Sequence, residues 1–451
     1  MRIELSLIAM AVVTAGFSAG TALAAVSADE AKKLGATLTV VGAEKAGNAA
    51  GTIPAYTGGL TTLPAGYKKG DPVRPDPFAG EKPLYSIDVK NMAQYADRLT
   101  EGTKGLMKKY PSFRVDVYPT HRTPAYPNQM AENTLKCAIT AKTPPNGLVM
   151  TGCHAGVPFP IPQTGAEVMW NHITRYEGEA FTMNYKALYV DSTGRPTLST
   201  AANALTNYPF WQADRPDDPM VYRVKVAYTD PARRAGEVIL LQDPMDYVSS
   251  GRRAWTYLPG QRRVRLSPSV NFDTPNPSTG GASTYDDSFV FVGSMERFNF
   301  KLVGKKEVYI PYNTYRMSYQ STEADLVKPN HLNPDLVRWE LHRVWVVEAT
   351  LGEGRRHIYS KRIFYVDEDS WVAVASDQYD MRGQLYRAAF AYVAPSYDIP
   401  AVMAQTNATF DLISGIYALN FYFADTGGVK YIAPPPERDW LPDSLAGGGL
   451  R

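Results

Sequence analysis

The side chains that could do chemistry are few, and their spacing is poor. Six histidines stand at positions 121, 154, 172, 331, 342 and 357, and none has a partner at metal-ligand spacing. Asp367, Glu368 and Asp369 could bind calcium or work as a carboxylate pair. They fall where a hairpin turns, however, and acid-rich turns need no ligand, so a solvated turn is expected. Arg262, Arg263 and Arg265 surround Val264 and could hold an anion, although a polar sheet face uses the same residues. The chain contains no G-x-S-x-G, no H-E-x-x-H and no S-x-x-K beside a K-T-G. LGEGRRH, Leu351 to His357, has two close glycines but neither the third nor the strand-to-helix setting of a phosphate loop. No catalytic residue and no cofactor is therefore assigned.

The chain has two cysteines, Cys137 and Cys153, with 15 residues between them. A bridge there would restrict the unfolded chain by roughly 3 kcal/mol. Zinc is the rival reading, but His154 alone lies close by, and two thiols with one imidazole do not fill a structural site. A disulfide is expected. It suits the compartment implied by the first residues, where Arg2, an apolar run from Leu5 to Ala15 and small residues ending in Ala22-Leu23-Ala24 follow the order of a secretory leader. Cleavage after Ala24 would release the chain into an oxidising space, the periplasm, where disulfides persist. Residues 1–24 carry one base and one acid, so the mature formal charge stays at +2. That balance offers no broad field for nucleic acid or anionic lipid. No later segment is apolar for long enough to span a bilayer, so an integral membrane protein is not expected.

The elements that must position these residues divide the mature chain into three. Residues 25–210 read as a helical and irregular region with the disulfide loop, residues 211–428 as a sheet, and residues 429–451 as a Pro/Gly-rich arm. In the first region, Asn91 to Pro111 reads as two short helices, the second capped by Thr100 and stopped before Pro111. Phe113 to Tyr118 alternates as a strand. Met169, His172, Ile173 and Tyr176 share one face of a further helix. His172 could be a ligand or base there, but a histidine on an apolar stripe is more often a satisfied core residue.

From about Met220 the period changes to two. VYRVKVAYTD and GEVILLQDP form one hairpin, and WTYLPGQRRVRL, Trp255 to Leu266, forms the next, turned at Pro259-Gly260. Later strands follow in FNFKLVGKKEVYI, LVRWELHRVWVVEATL, KRIFYVDEDSWVAVASDQYD, GQLYRAAFAYV and TFDLISGIYALNFYF, mostly linked by short turns, which argues for a long antiparallel meander. Residues 284–300 could be strand or helix. In Val337 to Leu351 the odd positions include Trp339, Leu341, Arg343, Trp345 and Val347, and the even ones Arg338, Glu340, His342 and Glu348. Strand geometry sends the two sets to opposite faces. One face is thus aromatic and apolar around a single guanidinium, which is ordinary core or the lining of a cavity. Arg343 is then either a salt-bridged core residue or a contact for a ligand's polar head.

AEKAGNAAGTIPAYTGG, QYADRLTEG with YPSFRVDVYPTHRT, GVPFPIPQTGAEVMWNHITRYEG and WTYLPGQRRVRLSP together resemble the exported proteobacterial family known as domain-of-unknown-function family 1329. The resemblance covers essentially the whole mature chain. It implies an α+β fold like that of the periplasmic lipoprotein carriers LolA and LolB: a strongly curved antiparallel half-barrel sheet covered by helices. On that fold Trp255, Tyr257, Trp339, Leu341, Arg343, Trp345 and Val347 would line a hydrophobic cavity. The implied function is a periplasmic carrier for a hydrophobic molecule such as a lipid, a lipoprotein acyl chain or a sterol-like compound. By association the resemblance also implies a transporter of the resistance-nodulation-division type and an outer-membrane β-barrel as partners. It supplies no established catalytic residues. An enzyme acting on a lipid or steroid in the same cavity, and a non-binding structural adaptor, are the two alternatives.

Overall fold

Alternating residues build nearly everything that positions the site. The computed structural model describes residues 26–448, so the expected leader lies outside the described residues. In chain order the strands are β1 Tyr85–Ile87, β2 Val115–Val117, β3 Ala180–Val190, β4 Pro196–Asn207, β5 Met220–Asp230, β6 Val238–Pro244, β7 Arg253–Leu258, β8 Arg263–Leu266 and β9 Phe298–Pro311. They continue with β10 Trp339–Leu351, β11 Lys361–Asp367, β12 Ala373–Tyr379, β13 Leu385–Ala391, β14 Ala394–Ser396, β15 Ala401–Met403, β16 Asn407–Asp411, β17 Tyr417–Tyr422 and β18 Val429–Tyr431.

One strongly curved antiparallel sheet contains most of them. Its order is β9-β10-β11-β12-β13-β16-β17-β3-β4-β5-β6-β7-β8. Two runs, β9 to β17 in chain order without β14 and β15, and β3 to β8, are fused where Tyr417 to Leu419 of β17 pair with Val190 to Leu188 of β3. The first part of β3 takes β18 instead, Phe181 opposite Tyr431. The ribbon β1-β2 joins through one parallel pairing, Val117 with Trp339. The pair β14-β15 stands apart.

This arrangement moves the boundary expected at residue 210. β3 and β4, at 11 and 12 residues among the longer strands, belong to the middle of the sheet. β18 likewise carries the sheet past residue 428. The inward side of β4 is built from Ala202 and Ala204, so its burial has little hydrophobic signal in the sequence.

The helix capped by Thr100 forms as expected, whereas the one expected to carry Met169, His172, Ile173 and Tyr176 on one face ends at Ile173, so that Tyr176 lies beyond it. After a 3-10 turn, Met92–Arg98, α2 runs Glu101–Lys109, and Thr100 Oγ1 accepts the Thr103 backbone N–H at 3.0 Å. Asp377 of β12 accepts two further N–H groups of that first turn, from Glu101 at 3.0 Å and Gly102 at 2.7 Å. These are donors a helix cannot satisfy by itself. A short α1, Ala28–Ala31, precedes it. α3, Asn128–Thr140, carries Cys137, which is bonded to Cys153 as expected.

α4, Gly165–Ile173, is buried along all nine residues. A Cβ on Gly165 would meet the backbone carbonyl of Phe300 at 2.8 Å, so glycine is required where the helix start seats on β9. His172 fixes its other end: Nδ1 accepts the Ala373 N–H at 2.9 Å, which leaves Nε2–H to donate to the Phe291 carbonyl at 2.9 Å.

The connection from β8 to β9 is irregular, neither strand nor helix beyond 3-10 turns at Pro277–Thr279 and Tyr285–Asp287. It is nonetheless largely buried against the sheet, with Phe291 edge-on to Phe364 at 5.5 Å. Asp286 and Asp287 pin it there. Arg362 reaches them at 3.2 and 3.0 Å, His357 reaches Asp286 at 3.0 Å, and Tyr359 and Gln378 donate to Asp287 at 2.7 and 2.8 Å. The connection thus fills part of the space that the curved sheet encloses.

Candidate functional site: an apolar hollow

What the connection leaves open is a small apolar hollow that reaches solvent at its mouth. Its floor is strand residues: Tyr185 of β3, Tyr222, Val224, Val226 and Tyr228 of β5, Ile239 and Leu241 of β6, and Asn420 and Phe421 of β17. Its cover is the β8–β9 connection, with Val270, Asn276, Ser278, Tyr285, Ser288, Phe289 and Val292, while Arg252 stands just before β7. Register explains the floor. Val224 pairs with Leu241 and Val226 with Ile239, so the even residues of β5 and the odd residues of β6 share one face.

Aromatic rings cluster in the lining. Phe289 stacks on Phe421 with ring centroids 4.8 Å apart, Tyr185 lies 4.7 Å from Phe421, and Tyr222 meets Phe289 edge-on at 6.4 Å. Backbone strain gathers at the same place. Phe289, Val290 and Phe421 have φ of 56°, 69° and 52°, a left-handed conformation that bulky and β-branched side chains rarely adopt and that costs of order 1–3 kcal/mol per residue.

None of the seven residues expected to line a cavity lines this one. Trp255 pairs with Leu240 and Tyr257 with Val238, so both lie on the face of β6 opposite Ile239 and Leu241. There they pack with Trp440 and Leu445 from the C-terminal arm. Alternation was read correctly along this hairpin, but its apolar face turns away from the hollow. Trp339 is buried edge-on to Phe390 at 5.5 Å. Leu341 and Val347 are buried core residues, and Trp345 stacks on Trp371 with centroids 6.3 Å apart. Of the aromatic residues that line the hollow, Tyr222 and Tyr228 were legible as the even face of VYRVKVAYTD. Phe289 and Phe421 had no such signal, because they sit at irregular backbone.

Arg343 is committed to the protein. Its Nε lies 2.7 Å from a Glu368 oxygen, and one terminal nitrogen donates to the carbonyls of Glu44 and Ala46 at 3.0 and 2.7 Å. The acidic turn, expected in solvent, lies inside the protein. Asp367, Glu368 and Asp369 are almost wholly buried rather than solvated. Arg122 binds both oxygens of Asp369, at 2.7 and 2.8 Å, and Lys305 lies 2.7 Å from Glu368. His342 and the two aspartates bring potential ligand atoms within 4.8 Å of one another, a proximity that spacing along the chain did not show. His342 also meets Glu340 at 3.0 Å, with Asp367 at 3.7 Å from its other nitrogen, so the cluster is a buried ionic network that ties the N-terminal region to the sheet. The arginines of the β7–β8 hairpin are exposed. Among the described residues no helix is long and apolar enough to cross a membrane.

Several known proteins are similar to this chain. An uncharacterized Pseudomonas aeruginosa protein, PA3922, is 41% identical over 435 residues, which cover 95% of each chain. Among solved structures, a putative outer membrane lipoprotein-sorting protein domain from Vibrio parahaemolyticus is 14% identical with a TM-score of 0.43, covering 62% of this chain and 98% of that one. A DUF1329 family protein from Desulfovibrio piger is 13% identical with a TM-score of 0.39, covering 59% and 91%. A LolA superfamily protein from Nitrosomonas europaea is 14% identical with a TM-score of 0.37, covering 63% and 100%. The model of a family described as a protein of unknown function, DUF1329, matches residues 86–446, and the chain belongs to that family.

Proposed function

We propose that this protein is a periplasmic carrier that holds the apolar part of a water-insoluble molecule in the hollow and passes it from an inner-membrane exporter toward the outer membrane. The observation that carries this reading is an open, largely apolar space inside a curved sheet, lined by Val224, Val226, Ile239 and Leu241 and by strained aromatic residues. Burial supplies the affinity. At ~25 cal/mol per Å² of apolar area, one covered acyl chain is worth several kcal/mol. Release then requires only a partner with a slightly better site.

Phe289 and Val290 are the residues expected to move, because a strained segment loses little when it rearranges. The disulfide fits an exported protein. Hydroxyls in the lining, Ser278 and Tyr285 among them, have no imidazole or carboxylate beside them in the lining, which supports holding over cleaving. An exporter of the resistance-nodulation-division type and an outer-membrane β-barrel are the proposed partners, on the resemblance in sequence alone.

The test is uptake of the environment-sensitive fluorophore N-phenyl-1-naphthylamine by the purified mature chain. Val226→Trp puts an indole into the hollow and should abolish the fluorescence gain while the protein stays folded by circular dichroism. Unchanged uptake by the folded variant would remove the hollow from the mechanism.

A further inference from the structure

Resting on the carrier reading, we infer that the hollow selects an uncharged amphiphile: an apolar body that ends in a hydroxyl, ether or carbonyl rather than in a carboxylate or phosphate. Arg252 is the one charged side chain among the described residues of the lining. Its charge is already used. Nε and one terminal nitrogen reach the two oxygens of Asp243 at 2.7 and 2.8 Å, and both side chains are only 2% exposed. A fork-to-fork pair of this kind spends the geometry as well as the charge of the guanidinium.

Other cations near the hollow are committed in the same way. Arg234 lies over the Tyr228 ring at 3.6 Å and is paired with Glu237 at 3.1 Å. Arg175 lies 5.6 Å from the Phe289 ring centroid and is paired with Glu177 at 3.1 Å. An anionic head group entering here would lose its hydration and find no free counter-charge, which is an expensive exchange.

Neutral partners are available instead. Tyr228 and Ser278 hydroxyls stand 3.3 Å apart. The Asn276 and Asn420 side-chain oxygens already accept the N–H groups of Ser278 and Phe421, at 2.9 and 3.0 Å, so what these amides have left to offer is N–H. Hydroxyls and amide N–H groups suit a hydroxyl or carbonyl oxygen. Selection therefore works by withholding a cation as much as by supplying hydrogen bonds.

The experiment compares two competitors with the same eighteen-carbon chain, oleyl alcohol and oleate, each displacing N-phenyl-1-naphthylamine from the mature protein at pH 8. Oleyl alcohol is expected to displace the fluorophore at a concentration at least tenfold lower. Equal or tighter displacement by oleate would overturn the inference while leaving the carrier reading intact. Absence of fluorophore uptake would instead overturn the carrier reading and this inference with it. Asp243→Asn frees the Arg252 charge while keeping an acceptor, and should tighten oleate at least tenfold with little change for the alcohol; a folded variant with unchanged oleate affinity would count against the inference. Should that variant fail to fold, Arg252→Met provides the second arm. Asp243→Leu is combined with it so that no unpaired carboxylate is left at the hollow; the ratio of oleate to alcohol affinity should then stay within threefold of that of the unmodified protein, and a larger fall in oleate affinity relative to the alcohol would overturn the inference by showing that the guanidinium had been recognising anions.

Discussion

The guanidinium of Arg343 illustrates how one charge on an apolar strand face can be spent entirely inside the protein. It bonds Glu368 and the carbonyls of Glu44 and Ala46, so it latches the N-terminal region onto β10. Arg343→Leu leaves those carbonyls without a donor, although Lys305 and Arg122 still face Glu368, at 2.7 and 3.5 Å. A loss of about 3 kcal/mol is expected, seen as an earlier urea midpoint, with fluorophore affinity unchanged. Altered affinity at unchanged stability would place the charge at the cargo instead. His172 behaves oppositely, because it must stay neutral. Burial, and then the nearby Arg175, push its pKa down to about 3. The unfolded chain binds this proton near the ordinary histidine value of about 6.5, so between those two values the unfolded state holds more protons. The stability supplied by the neutral ring is therefore complete above about pH 6.5 and falls by about 1.4 kcal/mol per pH unit below it. The difference in unfolding free energy between the unmodified protein and His172→Gln, taken at pH 7.5, 5.5 and 4.5, should show this one-proton slope. Parallel slopes in the two proteins would refute the assignment.

At the level of elements, the decisive piece is the β8–β9 connection, and it is held by ions rather than by regular structure. Arg362 is fully buried, bonds Asp286 and Asp287, and donates to the Val290 carbonyl at 2.9 Å. Together with His357 it keeps the Asp286 carboxyl well below the usual carboxylate range, despite burial acting in the other direction. Arg362→Met should leave two buried carboxylates undercompensated, cost about 3–5 kcal/mol, and raise hydrogen exchange most strongly across residues 284–292. Exchange that rises uniformly over the sheet would show that the connection is not an independent unit. The same contrast explains what was legible in the sequence. The β5–β6 and β7–β8 hairpins, the Thr100 cap of α2 and the disulfide rest on local rules, and the residues announce them. The direction of each strand face does not. Both faces of β10 are buried, because the N-terminal region reaches Glu340 through the His121 N–H on one side and Arg343 on the other, so alternation there separates two interiors rather than core from solvent. The connection itself was unreadable, since its burial depends on Arg362 and Gln378, which lie some 75 to 91 residues further along the chain.

Across the whole molecule, the strands β5 to β7 separate two apolar environments with different duties. One side faces the hollow through Val224, Val226 and Ile239; the other is sealed by the C-terminal arm, where Trp440 packs on Val238, Leu240 and Tyr257. Gln242 holds that arm by donating to the Trp440 carbonyl at 2.8 Å. The two sides should therefore respond independently to substitution. Trp440→Ala empties a fully covered site and should cost about 3–5 kcal/mol, yet fluorophore affinity at 10 °C, well below its unfolding transition, should match that of the unmodified protein. Val226→Trp should do the reverse, abolishing uptake at a cost of no more than about 1–3 kcal/mol, because the added ring enters existing space rather than a filled core. If the two faces act independently, the two stability losses should add in the double variant, and its binding should be that of Val226→Trp alone. A binding defect in Trp440→Ala alone would mean that the sheet transmits strain between its faces, and that the arm takes part in binding rather than only covering the sheet.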